Sequence, residues 1–249
     1  MARARTRHVK AIVLDHTKLG EQDLILSLLG SDGCQLRAVA KGGRKPGGRL
    51  ASRCELFCEC DLLVAAGRSL DVVAEAQLLE PHARIRGDLE RLSAASALCE
   101  VAKVTSYEDA PDPFLFPLLM RSLAAVEEAV DRPHLDLVCA GYAMKAAAHQ
   151  GLRPQLAACV ACGSANPRWF SVAAGGVLCG ECAGKVEGAE HITAERRAWL
   201  EALIGLTFDE LLAADVDPGT ASWLVHVAHG WCATHLDCRL RSWEFMRGL

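Results

Sequence analysis

The stretch CVACGSANPRWFSVAAGGVLCGEC, from Cys159 to Cys182, carries two Cys-x-x-Cys pairs with sixteen residues between them. Two such knuckles, joined by a linker of about 15–20 residues, can face one another and present four thiolates at the corners of a tetrahedron, the shell that zinc prefers. Gly163 follows the first pair and Gly180 lies inside the second, where backbone amides must turn toward sulfur. The intervening RWFSVAAGGVL reads as a hairpin around Gly175-Gly176. The spacing therefore predicts one structural Zn2+ held by Cys159, Cys162, Cys179 and Cys182. Other readings fit less well. A thioredoxin-like redox pair needs a single Cys-x-x-Cys on a βαβ scaffold, which the flanking pattern lacks. A catalytic zinc keeps an open position, whereas four thiolates close the shell. The zinc deaminase pattern needs His-x-Glu, and none of the nine histidines is followed by it.

The hydrophobic period divides the 249 residues into two regions. Up to about residue 80 it is close to two. HVKAIVLDH places Val9, Ala11 and Val13 on one face, and DLILSLL and QLRAVAK follow across the turn Gly30-Ser-Asp-Gly33. CELFCECDLLV alternates over a long span with Cys54, Leu56, Cys58, Cys60, Leu62 and Val64 together, and LDVVAEAQLLE supplies a fifth strand. Five strands in this length suit a small closed barrel of the OB type, and an SH3-like barrel has nearly the same strand count. After Pro81 the period becomes helical. Asp88 is placed to cap one helix, Asp131-Arg132-Pro133 separates two more, Gly151 and Pro154 stop the third, and Thr193 opens another with Arg196 at its third position. The expected architecture is α+β and multidomain. An OB-fold domain occupies 1–80. A helical domain occupies 81–249, and the four-cysteine knuckle pair is inserted at about 156–187.

Charge is distributed unevenly. Residues 1–80 carry twelve Lys/Arg against ten Asp/Glu, while 81–249 carry fifteen against twenty-one. The basic excess concentrates in RAVAKGGRKPGGRLASR, where Arg37, Lys41, Arg44, Lys45, Arg49 and Arg53 stand with no acid among them. Glycine-rich backbone and cations together can follow a phosphate chain. The loop reads as a mobile hairpin connection, and it lacks the Lys-Ser/Thr of a phosphate-binding P-loop. Phe57 is the only aromatic residue of the first eighty. Base stacking is thus a poor candidate for affinity there, and electrostatics must supply it. For Arg3, Arg5 and Arg7 two readings stand open on the sequence: an extension of the patch, or a disordered tail. Cys54, Cys58 and Cys60 are expected to be barrel core rather than a second metal site. His226, His229 and Cys232, spaced by three on a helix, are expected to serve packing. No signal peptide is expected, since the apolar run Ala11–Leu14 stops at Asp15. No run of eighteen apolar residues exists to cross a membrane. Twelve cysteines without such a leader fit a reducing cytoplasm.

LGEQDLILSLLGSDG, LRAVAKGGRK and GRSLDVVAEAQLLE resemble the N-terminal domain of the bacterial RecO family of recombination mediators, and the helical remainder with HLDCRLRSWEFM is similar as well. The resemblance implies an OB-fold joined to a helical domain. It implies binding of single- and double-stranded DNA, annealing of complementary strands and recombinase loading at gaps. RecR and the C-terminal tail of single-stranded DNA-binding protein are the implied partners, and no catalysis is implied. The protein would then be cytoplasmic and nucleoid-associated during repair. For the tail, Arg121 and Arg132 are the candidate flanking cations of an apolar groove. Two other classes remain open on the sequence: a non-catalytic zinc-bearing adaptor that uses the barrel as scaffold, and a zinc hydrolase.

Overall fold

The computed structural model describes residues 6–246 and 248. Five strands form a closed barrel: β1 (Thr6–Leu19), β2 (Asp23–Gly30), β3 (Gln35–Ala40), β4 (Glu59–Ala65) and β5 (Asp71–Glu80). Their order is β1-β2-β3-β5-β4, with β1 also paired to β4. All pairings are antiparallel except β3 with β5, which closes the barrel at Ala38↔Asp71 and Val39↔Val72. That order, with its one parallel closure, makes the barrel OB-like.

Ala11, Val13, Leu26, Leu28, Ala38, Ala40, Leu62 and Val64 fill the interior, as the alternation requires. Ile12 and Leu14, on the opposite face of β1, are buried too. The sequence between β3 and β4 departs from the expected long strand. Cys54 to Cys58 lies outside β4, which starts at Glu59. The reason is a corner: Phe57 has φ 71°, and Val13 exchanges two hydrogen bonds with it, accepting from Phe57 N–H (2.9 Å) and donating to Cys58 C=O (3.0 Å). This exchange sits beside a register shift in β1 between Val13 and Asp15. The cysteines keep their core positions without the strand.

Helices follow. They are α1 (Ala83–Arg86), α2 (Leu89–Thr105), α3 (Leu115–Glu128) and α4 (Arg132–His149). The insertion contributes β6 (Trp169–Ser171), β7 (Gly176–Leu178), α5 (Gly180–Ala183) and β8 (Glu190–His191). Then come α6 (Ala194–Gly205), α7 (Phe208–Leu212), α8 (Pro218–His235) and α9 (Arg241–Met246). Asp88 and Thr193 cap helix starts as the sequence marks, accepting from Arg91 N–H and Arg196 N–H; Asp131 and Asp217 do the same, accepting from His134 N–H and Thr220 N–H. The chain forms two compact units that divide between Glu127 and Glu128. In the first, α2 packs on β1 and Lys103 pairs with Asp15 at 2.7 Å. In the second, α4 is the central helix and packs on α6, α7 and α8. Its small residues let neighbours close in; a side chain at Gly141 would lie 2.8 Å from a methyl of Leu211.

Candidate metal centre and nucleic-acid interface

The four cysteines of the two knuckles come together. Their sulfurs all lie within 4.8 Å of one another, and Cys162 Sγ and Cys179 Sγ are 3.7 Å apart. A tetrahedron with Zn–S bonds of about 2.3 Å has an edge of about 3.8 Å, so the sulfur spacing fits a four-thiolate metal and is far too long for a disulfide. The local turns produce this arrangement. In the first knuckle Gly163, at φ 74°, donates its N–H to Cys159 C=O, and Cys159 N–H reaches Ser164 C=O. In the second, Cys179 is the N-cap of the short helix α5, and Ala183 N–H bonds to Cys179 C=O. β6 and β7 pair between the knuckles, and Val160 N–H joins Val177 C=O.

The thiols do not share one acidity. Cys159 is pulled down to about 6, first by a hydrogen bond from the Cys179 backbone amide and then by those of Ala161 and Cys162. Cys182 is pushed up to about 12, first by its hydrogen bonds with Cys179 and Cys162. Amides aimed at sulfur stabilise one thiolate, and crowded sulfurs disfavour the next. A divalent cation removes that conflict by taking all four as thiolates. The donor set thus fits structural zinc, which would supply a cross-link here and leave no coordination position for chemistry.

The basic loop has a definite shape. Between Lys41 and Cys54 it is a succession of turns, with Lys45 N–H on Gly42 C=O, Gly48 on Lys45, Ala51 on Gly48 and Cys54 on Leu50. It is pinned to the β1–β2 connection as well: Gly42 N–H donates to Asp23 Oδ1 at 2.8 Å and Arg44 N–H to Gln22 C=O at 2.9 Å. The expected hairpin is corrected: β3 and β4 are not neighbours in the barrel, and the connection between them is wound into turns. Arg37, Lys41, Arg44, Lys45, Arg49 and Arg53 are all exposed. Two of them are partly committed. Arg44 donates to Glu21 C=O at 2.9 Å, and Arg53 donates to Ala76 C=O at 2.9 Å. Arg49 and Arg53 border a groove of about 740 Å³ whose other wall includes Asp61 and Glu75. Phe57 is buried, so it offers no stacking surface. Arg7 pairs with Asp71 at 2.8 Å, and Arg3 and Arg5 lie outside the described residues.

Cys58 Sγ donates to Pro81 C=O at 3.5 Å and Cys60 Sγ to Arg53 C=O at 2.8 Å, both inside the barrel core with Cys54. With His226, His229 and Cys232 they are absent from the candidate metal clusters among the described residues. His226 is exposed, His229 lies against Trp243, and Cys232 is buried. Arg121 is on α3. Arg132 opens α4, where it donates to Asp136 Oδ1 at 2.9 Å and to Met246 C=O at 2.7 Å. It also borders a cavity of about 350 Å³ with Asp136, Trp223 and His226.

A family model described as recombination protein O N terminal matches residues 1–82, and one described as recombination protein O C terminal matches residues 86–244. The chain belongs to the RecO family. It is 36% identical over 239 residues to DNA repair protein RecO of Bifidobacterium longum (strain DJO10A), covering 94% of this chain and 95% of that one. It is 33% identical over 246 residues to DNA repair protein RecO of a Nocardioides species, covering 95% and 97%. A segment of 124 residues is 45% identical to DNA repair protein RecO of Synechococcus elongatus, covering 50% and 47%. Among the described residues, no helix of this RecO-family chain is long and apolar enough to cross a membrane.

Two polar sites escaped the sequence reading. His82, buried and at φ 44°, directs Nδ1 to Glu127 Oε2 at 2.8 Å, and Arg84 N–H holds Glu127 Oε1 at 3.0 Å. Glu80 lies close to both. Lys145 points its ammonium at Ile204 C=O and Leu206 C=O, capping the end of α6, and burial pulls it down to about 8. Lone polar residues on apolar helices carry no signal of the partner they will meet.

Proposed function

We propose that this protein is a non-catalytic recombination mediator. It binds single- and double-stranded DNA through the barrel, anneals complementary strands and helps load recombinase at gaps. Membership in the RecO family, whose relatives are named DNA repair proteins, supports a role in DNA repair and recombination. The observation that carries the DNA reading is the basic loop: six exposed cations with no acid between them, on a backbone anchored to β1–β2. Cations on a fixed frame bind phosphate with less ordering cost than cations on a loose one. Residues 1–80 are the DNA-binding element in this reading. The helical remainder is the protein-binding one, and it meets RecR and the C-terminal tail of single-stranded DNA-binding protein. Arg132, beside the cavity with Trp223, is the better placed of the two cations proposed for that tail, with Arg121 as the other. One structural Zn2+ on Cys159, Cys162, Cys179 and Cys182 holds the insertion. The working location is the cytoplasm, at the nucleoid during repair.

The test is annealing of complementary strands coated with single-stranded DNA-binding protein, together with DNA affinity against salt. Each neutralised phosphate contributes about −0.7 to the log–log salt slope on single strands. Charge reversal of Lys41 and Lys45, which hold no carbonyl of their own barrel, should flatten the slope by about one to two units and weaken binding to all sequences alike. Unchanged affinity and slope in that variant would remove the loop from the interface. An adaptor with the barrel as scaffold would show no salt-dependent DNA binding at all.

A further inference from the structure

The second unit holds a small cationic cavity. It measures about 340 Å³ and is lined by Asn166, Arg168, His191, Thr193 and Arg197 with three apolar neighbours, and by no carboxylate. Its construction is definite. Arg168 and Ile192 are held side by side, because Arg168 N–H bonds to Leu178 C=O (3.1 Å) and Arg168 C=O receives Ile192 N–H (2.9 Å). Trp169 and His191 are register partners of β6 and β8, and their rings meet edge to face at 5.6 Å. Thr193 then caps α6, and Arg197 lies one turn in, its N–H on Thr193 C=O at 3.1 Å. Two guanidinium groups and an imidazole are thereby brought to one concavity from two different elements.

Neither the Arg168 nor the Arg197 guanidinium has a hydrogen-bond or ion-pair partner among the described residues. The nearby cations and acids behave differently. Arg196 lies over the Trp223 ring at 4.8 Å, and Glu190 accepts from Trp223 Nε1 at 3.0 Å. Glu190 is thus engaged with Trp223, and no carboxylate stands in the lining beside the two arginines. Like charges held close without a counter-ion repel, and an anion between them relieves this. Arginine forks match the oxygens of a phosphate in particular. The volume is that of a single small ligand rather than of a run of strand.

We propose that this cavity binds a phosphomonoester, the terminal phosphate of a DNA strand. A monoester carries about −1.5 to −2 charges near neutral pH against one for an internal diester, so two arginines and a histidine discriminate in favour of the end. The proposal deepens the DNA-binding reading but uses a site separate in sequence from the basic loop. The site would register where a strand stops, which is the feature that distinguishes a gap from an intact duplex.

The first test needs no long DNA. The full-length protein is titrated with dAMP, with deoxyadenosine and with inorganic phosphate, following binding by calorimetry. Saturable binding of dAMP and phosphate without binding of deoxyadenosine is expected, and it should be lost in Arg168→Gln/Arg197→Gln. Equal behaviour of dAMP and deoxyadenosine overturns the proposal. The second test compares a short oligonucleotide carrying a 5′-phosphate, a 3′-phosphate or hydroxyl ends. At least one phosphorylated end should bind roughly tenfold more tightly, a change worth about 1.4 kcal/mol, and inorganic phosphate should erase the difference. Equal affinity for all three ends overturns the proposal while leaving DNA binding by the basic loop standing. Loss of all oligonucleotide binding in the Lys41/Lys45 reversal, with dAMP binding intact, separates the two sites. If the double glutamine variant folds poorly, the wild-type comparisons still decide.

Discussion

Cysteines form two clusters in this chain, one packed inside the barrel and one at the knuckles, and the backbone presents different groups to the sulfurs of each. Cys54, Cys58 and Cys60 sit in the barrel among Leu28, Leu62 and Val64. Cys58 is pushed up by burial, Cys60 is pushed up by its hydrogen bond with Cys54 and then by burial, and Cys54 is pulled down by that same hydrogen bond. Cys159 is buried as well, yet its thiol is pulled down. Burial does not separate them; the backbone does. In the barrel the thiols donate to carbonyls, those of Pro81 and Arg53. In the knuckles the amides donate to sulfur. A thiol facing carbonyls keeps its proton and packs as a small hydrophobe, whereas one facing amides is prepared to be a ligand. The surroundings differ too. Thirteen buried residues make the barrel core, whereas the cluster at the knuckles has Cys159, Leu178 and Ala183 with partly buried neighbours. A core that small leaves a metal cross-link a large share of the work of ordering the knuckles.

The contrast breaks most visibly by removing the cross-link. Structural zinc contributes on the order of 10–16 kcal/mol in small zinc peptides. Cys162→Ser should therefore release one equivalent of zinc and strip amide exchange protection from residues 156–187, while barrel amides keep theirs. Metal analysis with hydrogen exchange checks this; retention of the metal, or collapse of both regions together, would defeat it. The converse is Leu28→Ala. A buried leucine truncation costs about 2–5 kcal/mol, so the barrel should melt earlier while zinc content stays at one per chain. Cys60→Ala is a finer probe. It removes one buried sulfur and should cost roughly 1 kcal/mol, with no change in zinc; a loss of metal would show that the two thiol clusters are linked.

The smallest effect is expected from Lys145. Its ammonium is pulled down to about 8 by burial from an ordinary 10.5. Between those values the unfolded chain binds more protons than the folded one, so stability rises as pH climbs from about 8 to 10.5. Partial exposure screens the group, and the gain is roughly 1 kcal/mol. Denaturant midpoints across that range, compared with Lys145→Met, isolate it. The variant should lose the slope, and an unchanged slope would assign it to other groups.

Much of this was legible in the residues. Periodic apolar positions gave the barrel interior, and the cap residues Asp88 and Thr193 stand where side-chain oxygens accept from helix N–H groups. The knuckle cysteines meet because ligand spacing is a local property of two turns and a hairpin. What failed was long-range. Alternation ran a strand through Cys54–Cys58, but the corner at Phe57 answers to Val13, far off in sequence. The basic loop reads as a hairpin, but β3 and β4 are not neighbours in the barrel; Asp23 and the carbonyls of Glu21 and Gln22 bond to it from another connection. The Arg168–Arg197 cavity depends on β6 and β8 pairing across the whole insertion.

In the barrel β3 and β5 meet only at Ala38↔Asp71 and Val39↔Val72, so β5 from Val73 onward has a strand partner, β4, on one side only among the described residues. In the three-stranded sheet, the free side of β7 is already taken by the backbone of Gln155 and Val160 around Val177. β8, two residues long, keeps the open edge of that sheet. Strand addition, the mode in which main-chain bonds supply affinity and sequence matters little, therefore has little room in the three-stranded sheet. Recognition there has to run through side chains, so single charge changes can retune it. Short and covered sheet edges also offer few templates on which transiently crowded chains stack into aggregates.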